Sequence, residues 1–473
     1  MKEPVYITTT LPYINADPHI GFTWEIIQAD VLARYLRLGG QEVFFNTGTD
    51  EHGKKISDKA KEHGLSPQVF ADQLAVKFLN LKNLLNLTFD NFIRTTDPKH
   101  QVAVFEFWRR SLENGDIYKK NYRTKYCVGC ELEKTDSELV DGRCEFHPDK
   151  ELEIIEEENY FFRLSHYQQP LLDFYKKNPN FVRPAKRYKE VITFVEAGLN
   201  DFSISRLKAK MPWGIDVPGD SDHVIYVWFD ALINYISALG WPKDEISFNK
   251  WWPAIQFAGK DNLRQQSVMW PAMLISAGLE LPREINIHGF VTVGGQKMSK
   301  SLGNVVSPES LVSDYGADAV RYYFTREVSS FEDSDFTADR FKAVYNANLA
   351  NGLGNLASRI LKMATTYLDV WPAQPKFFWP KEFEDKMAKR DFAQAADIVW
   401  TQIAKLDWEI ADRQPFKQIK TNPQGAKKEI SRLVQELHLL TFWLEPFVPV
   451  AADKIKQAIN NHQMIEPLFA RKD

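Results

Sequence analysis

Apolar and polar positions divide the chain into two regimes. Near the N-terminus PVYITTT (residues 4–10) is β-branched and apolar and predicts a strand. A Pro-containing loop leads to GFTWEIIQADVLARYLRLGG, where Trp24, Ile27, Val31, Leu32 and Tyr35 recur at helical spacing before a Gly-Gly stop. EVFFNTGTDEHG reads as a second strand running into a polar loop. Strand, helix, strand opens a parallel α/β sheet. The strand-like runs HVIYVWFDALINYI, AIQFAGKDN and INIHGFVTVGG are expected to complete it. Beyond about residue 345 the period is helical throughout. Ile398, Val399, Ile403, Leu406 and Ile410 form one stripe, and Ile430, Leu433, Leu437, Leu440 and Leu444 another, which predicts a C-terminal helix bundle.

Between the two α/β halves, from about Asn114 to about Asp222, the pattern breaks into a cysteine-bearing segment, an acidic run (ELEIIEEEN) and Pro-punctuated aromatic stretches. This reads as an insertion. The expected organisation is therefore residues 1–113 and 223–290 for the α/β domain, 114–222 for the insertion, 291–345 for a connecting region and 346–473 for the bundle. A length of 473 residues with 44% hydrophobic positions suits several globular domains. Net charge is -4, so a nucleic-acid partner would need a local surface rather than a global polycation. There is no basic stretch with a long apolar region at the N-terminus and no uninterrupted apolar window of membrane-spanning length, which leads us to expect a cytoplasmic protein without a membrane partner.

Three segments carry candidate chemistry. LPYINADPHIGF lies where the first strand hands over to the first helix, the place where ligands bind in open α/β sheets. His19 and Gly21 stand at the helix start, whose free N–H groups and dipole favour phosphate. Taken alone, PHIG reads first as a helix cap with an incidental histidine. Neither G-x-G-x-x-G nor a Walker A pattern follows a strand, which disfavours a dinucleotide cofactor and a P-loop. VGGQKMSKSLGN loads flexible backbone with Lys297 and Lys300. YCVGCELEKTDSELVDGRCEFHPD offers Cys127-x2-Cys130 and Cys144-x2-His147, two chelating pairs with an Asp-Gly turn between them. That set uses all 3 cysteines and fits one tetrahedral Zn²⁺ with every position filled, a structural rather than a catalytic ion.

PHIGF followed far downstream by KMSKS resembles the paired signature of class I aminoacyl-tRNA synthetases. TGTDEHG, YVWFDALINYI, AGKDN and GNLASR, in that order across the chain, are similar to the methionyl members. The resemblance implies a Rossmann-type catalytic domain, a zinc-knuckle connective insertion in 114–222, a KMSKS-loop and stem-contact region in 291–345, and an all-α anticodon-binding bundle. It implies ATP, L-methionine and tRNA(Met) as partners, Mg²⁺ with the ATP, and activation of methionine as the adenylate before transfer. By resemblance, His19, Lys297 and Lys300 are catalytic, and Gly21 and Asp261 join them in holding ATP. Leu11, Tyr13, Asp50, Trp228, Ala231, Tyr235 and Gln266 hold methionine, with Asp50 on its ammonium group. Asn355 and Arg359 read the anticodon while Phe416 stacks on a base.

Three positions depart from the family pattern. Phe22 stands in place of the second signature histidine, Gln266 in place of a pocket histidine and Leu232 in place of a common proline. The first two keep open an alternative, a catalytically impaired synthetase-like tRNA-binding protein. The insertion is too short for the editing domain of the leucyl, isoleucyl and valyl enzymes, and a closed zinc site cannot grip a substrate thiol as in cysteinyl enzymes. No appended oligonucleotide-binding barrel is seen, which leads us to expect a monomer.

Overall fold

The computed structural model of the chain describes residues 2–130, 132–134, 139–298 and 303–473. Its centre is a parallel six-stranded sheet. The strands are β1 (Val5–Thr9), β2 (Val43–Thr49), β3 (Asn91–Arg94), β4 (Val182–Arg183), β5 (Ala254–Gly259) and β6 (Glu284–His288), in the spatial order β3-β2-β1-β5-β6-β4. Tyr6 lies opposite both Phe44 of β2 and Ala254 of β5, so the chain winds outward in both directions from β1. β1 is buried along its whole length, as both faces of a parallel sheet must be covered. Alternation splits its side chains between two cores. Val5 and Ile7 join the cluster that contains helix α1 (Ile20–Leu38), while Tyr6 joins Val104, Phe229 and Trp270 on the opposite face.

The run HVIYVWFDALINYI departs from expectation. Its strand ends at Ile225, within a separate antiparallel sheet formed by Ser205–Leu207, Asp216–Val217 and Asp220–Ile225. Val227–Leu232 is then helical, and Val227, Phe229, Asp230, Ala231 and Leu232 are all buried. A helix enclosed on every side shows the same unbroken apolar run as a buried strand, so periodicity could not separate them. The tail of INIHGFVTVGG also leaves the central sheet, since Val291–Val293 pairs with Gln296–Lys297 and Ser334–Phe336. Edge strand β4 comes instead from within 114–222. The rest of that segment holds a four-stranded antiparallel sheet built on the long pair Ile117–Cys127 and Glu153–Phe162.

The C-terminal part is helical, with Asn355–Tyr367, Phe392–Arg413, Pro423–Leu444 and Pro449–Asn460 as its main helices. Four members of the first stripe are buried and Ile398 is partly exposed, while all five of the second are buried. These side chains share one continuous core with α1. A buried polar cluster reinforces the joint. Asp30 of α1 pairs with Arg34 and with Arg321, each at 2.8 Å. Arg321 also donates to the carbonyls of Pro446 (2.7 Å), Phe447 (3.2 Å) and Leu85 (3.3 Å). Burial would raise the Asp30 carboxyl, but Arg321 and Arg34 outweigh it and hold it below the usual carboxylate range. Arg321→Lys keeps the charge and loses the planar fork, leaving buried carbonyls without donors. We expect it to destabilise the protein by about 1–3 kcal/mol in urea unfolding; an unchanged midpoint would mean that these bonds contribute nothing.

Candidate active site and metal centre

Because β1 and β5 are neighbours whose connections run in opposite directions, a crevice opens beyond their carboxyl ends. Two loops are laced together across it. Asp50 N–H donates to Pro12 C=O (3.0 Å) and Ile14 N–H to Asp50 C=O (3.1 Å). With Val227–Leu232, the turn after β5 and the cysteine segment, they enclose a cavity of about 380 Å³. Leu11, Tyr13, Asp50, Trp228, Ala231, Tyr235 and Gln266 all line it, and so do His19, Asp261 and Lys297. An adjoining cavity of about 280 Å³ also touches His19, Asp261 and Lys297 and adds Gly21, Glu25, His288 and Met298. Lys300 lies outside the described residues.

His19 caps α1 with extended backbone, and its Nδ1 accepts the Gly21 N–H at 3.1 Å. A neutral ring bound in this way carries its proton on Nε2 and can donate it. Burial first, and then the nearby Lys297 charge, hold its pKa below 6.5. A Cβ on Gly21 would come within 2.9 Å of His19 Cε1, so the glycine leaves room for the ring as well as for a ligand. Phe22 lines both cavities, packed edge-on to Phe78 at 5.8 Å, and offers them a ring face with no donor. Lys297 lies over the Phe290 ring at 4.4 Å, with Nζ 3.5 Å from Asp261 Oδ2.

On the other side of the cavity Gln266 Nε2 donates to the Tyr235 hydroxyl at 2.6 Å, and both residues are buried. Tyr6 donates to the Tyr235 carbonyl at 2.9 Å. Burial pushes the Tyr235 pKa up, so its hydroxyl stays protonated and available as a donor. Gln266 thus holds the Tyr235 hydroxyl in place with an amide.

Sequence reasoning missed several groups. Glu25 accepts from Thr10 N–H (2.8 Å) and Thr10 Oγ1 (2.6 Å), and its other oxygen meets His288 Nε2 at 2.8 Å. The Asp230 carboxylate lies between His52 and His100. Lys55 Nζ donates to the Gly129 carbonyl at 2.8 Å, tying the start of the helix Lys54–Glu62, which follows TGTDEHG, to the cysteine segment. His52 lies in TGTDEHG and Asp230 in YVWFDALINYI, but Asp230 is 178 residues from His52 and 130 from His100 along the chain, and no local pattern connects them.

The four expected metal donors converge. Cys127, Cys130, Cys144 and His147 place one ligand atom each within 4.8 Å of the others. Cys130 and Cys144 Sγ are 3.4 Å apart, and His147 Nδ1 is 3.3 Å from Cys130 Sγ and 3.8 Å from Cys127 Sγ. Zn–S bonds near 2.3 Å in a tetrahedron set sulfurs about 3.7 Å apart, so the set fits zinc with little movement. Asp141 and Gly142, with φ of 50° and 75°, make the expected turn between Leu139–Val140 and Arg143–Cys144. A Cβ on Gly129 would fall 2.3 Å from the His147 ring, so only glycine admits that ligand. Hydrogen bonds from the Cys130 thiol and the His147 ring pull Cys127 down to about 3, while the same Cys127 contact pushes Cys130 up. One thiolate, on Cys127, is thus favoured at the expense of the Cys130 thiol that bonds to it. Cys130, His147, Lys134 and Phe146 form one wall of the larger cavity.

In the helical part Asn355 is exposed, and Arg359, one turn on, pairs with Asp407 of Phe392–Arg413. Phe416 is 38% exposed, beyond the left-handed Gln414 that ends that helix.

The family model described as "tRNA synthetases class I (M)" matches residues 5–148 and 130–361. The methionine--tRNA ligase of Thermosynechococcus vestitus is 45% identical, covering 96% of this chain and 90% of its own. The Rhizobium meliloti methionine--tRNA ligase is 42% identical over 96% of this chain and 91% of its own. Mycobacterium tuberculosis methionyl-tRNA synthetase, solved in complex with methionyl-adenylate, superposes with a TM-score of 0.89 at 37% identity, covering 96% of this chain and 93% of that one. Identity at this level over nearly the full length, on a shared fold, makes the chain a member of the class I methionyl-tRNA synthetases.

Proposed function

We propose that the chain activates L-methionine with ATP and transfers it to the terminal ribose of tRNA(Met), working as a monomer in the cytoplasm. The observation that carries this is the convergence of His19, Asp50, Trp228, Asp261 and Lys297, from separate parts of the chain, on one connected cavity. In the first step the methionine carboxylate oxygen attacks the α-phosphorus of ATP and pyrophosphate leaves. Asp50 pairs with the substrate ammonium group, while Trp228, Ala231, Leu11 and Tyr13 enclose the thioether. Tyr235, held by Gln266, offers its hydroxyl to the substrate. His19 donates from Nε2 to phosphate oxygens, and Lys297, with Lys300, neutralises charge moving onto pyrophosphate. Asp261 releases Lys297 and takes the ribose of ATP. Mg²⁺ bound to ATP supplies further charge neutralisation. In the second step a ribose hydroxyl of tRNA attacks the adenylate carbonyl and AMP leaves.

A structural Zn²⁺ held by Cys127, Cys130, Cys144 and His147 keeps the cavity wall in place. Among the described residues, no helix is long and apolar enough to cross a membrane. Asn355, Arg359 and Phe416 contact the anticodon. Replacing Arg359 with alanine should lower tRNA aminoacylation about tenfold or more, as for loss of a charged RNA contact, while methionine-dependent pyrophosphate exchange stays unchanged. Equal losses in both assays would contradict the assignment.

The test of the whole reading is ATP–pyrophosphate exchange on the purified protein, with leucine, isoleucine, valine and cysteine as controls. Exchange with methionine alone supports it. No exchange from folded, zinc-loaded protein would replace it with the tRNA-binding protein that lacks activation.

A further inference from the structure

The Asp230 carboxylate is fully buried and lines neither cavity. Oδ2 lies 2.7 Å from His52 Nδ1 and Oδ1 lies 2.8 Å from His100 Nε2, while His100 Nδ1 meets Ser237 Oγ at 2.8 Å. A buried carboxylate is costly unless every oxygen is bonded, and here each oxygen has its own imidazole donor. The cluster grips three separate pieces of backbone. His52 is two residues beyond Asp50, Asp230 two beyond Trp228, and His100 belongs to the helix Pro98–Glu113. Residues two apart on a helix point to opposite sides, so Trp228 faces the cavity while Asp230 faces the cluster behind it.

We propose that Asp230, clamped between His52 and His100, is a positioning residue that sets the distance between Asp50 and Trp228, and so between the groups that hold the two ends of methionine. The proposal rests on the function argued above. Amino-acid selection by an unbranched apolar side chain depends on that spacing, because both ends of the substrate must be seated together. A misplacement of about 1 Å costs up to about 100-fold in a preorganised site. ATP meets Asp261, His19 and Lys297, none of which touches the cluster.

The experiment measures KM for methionine and for ATP separately in pyrophosphate exchange by the full chain. His52→Leu and His100→Leu remove the donors and are expected to raise KM for methionine about tenfold or more, with KM for ATP within about twofold. His52→Asn puts an amide nitrogen where Nδ1 stood, and His100→Gln does the same for Nε2. Both are expected to restore methionine KM to within about threefold of wild type. If the leucine variants do not fold, the isosteric Asp230→Asn decides. It must raise methionine KM at least about threefold at unchanged ATP KM. An unchanged methionine KM, parallel rises for both substrates, or amide variants no better than leucine would each overturn the proposal. Wild-type protein without methionine-dependent exchange would overturn the parent reading, and that result is read without any variant.

Discussion

Replacing His19 with alanine is expected to lower methionine-dependent pyrophosphate exchange by about two orders of magnitude or more, the usual loss when a preorganised transition-state donor is removed. Phe22, which lines the cavities beside His19, has no donor to share the work. His19 therefore acts without a second histidine in the same turn. Its protonation sets a pH dependence whose sign is fixed. The bonded Nδ1 is available to the Gly21 N–H only on the neutral ring, and burial together with Lys297 holds the pKa below 6.5. The neutral form is present above that lowered pKa and is lost as pH falls through it. The acid limb of exchange should thus lie below pH 6.5 and vanish from the residual activity of His19→Ala. Wild-type-like exchange in the variant would remove His19 from the catalytic set.

Cys144→Ser is expected to abolish zinc binding and, with it, most exchange activity. Structural zinc contributes about 10–16 kcal/mol to folding of small zinc modules at pH 7, and a hydroxyl is a poor replacement for a buried thiolate. Cys144 is fully buried, and among the described residues the module has little apolar core of its own, so loss of one ligand should unfold the segment locally. The catalytic effect follows from position. Cys130, His147 and Phe146 form part of the cavity wall, and Lys55 fastens Gly129 to the helix that follows the Asp50 loop. We expect zinc content to fall from one ion per chain to near zero. Exchange should drop about tenfold or more, as for displaced substrate-positioning groups, while the central sheet still melts cooperatively. Full exchange in zinc-free protein would show that this wall is dispensable.

The legibility of the chain followed the range of the interactions. The β1–α1–β2 opening, the cap at His19, the Asp-Gly turn of the knuckle and the two C-terminal stripes are local patterns, and they appear where spacing places them. The helix Val227–Leu232 did not, because a run buried on all sides carries no period. The clamp around Asp230, the Glu25–His288 pair and the Lys55–Gly129 bond were invisible for another reason. Each joins residues brought together only by the tertiary fold, and each residue alone is an ordinary polar side chain. Likewise the bond from Gln266 to the Tyr235 hydroxyl, 31 residues away along the chain, is visible only in the fold.

The guanidinium of Arg321 reaches main-chain oxygens of Pro446 and Phe447, not their side chains. Arg321 therefore makes no demand on the side chains at those two positions, where Phe447 is held instead by its own burial in the core, but it does not tolerate a shift of the bend they form. An exchange of the helical half between related genes would succeed or fail on whether the incoming backbone presents two carbonyls at that spot. A cut through the joint would strand a cation and the apolar face of α1 together. The two halves are thus poor candidates for independent inheritance, and recombination should favour breakpoints away from this seam.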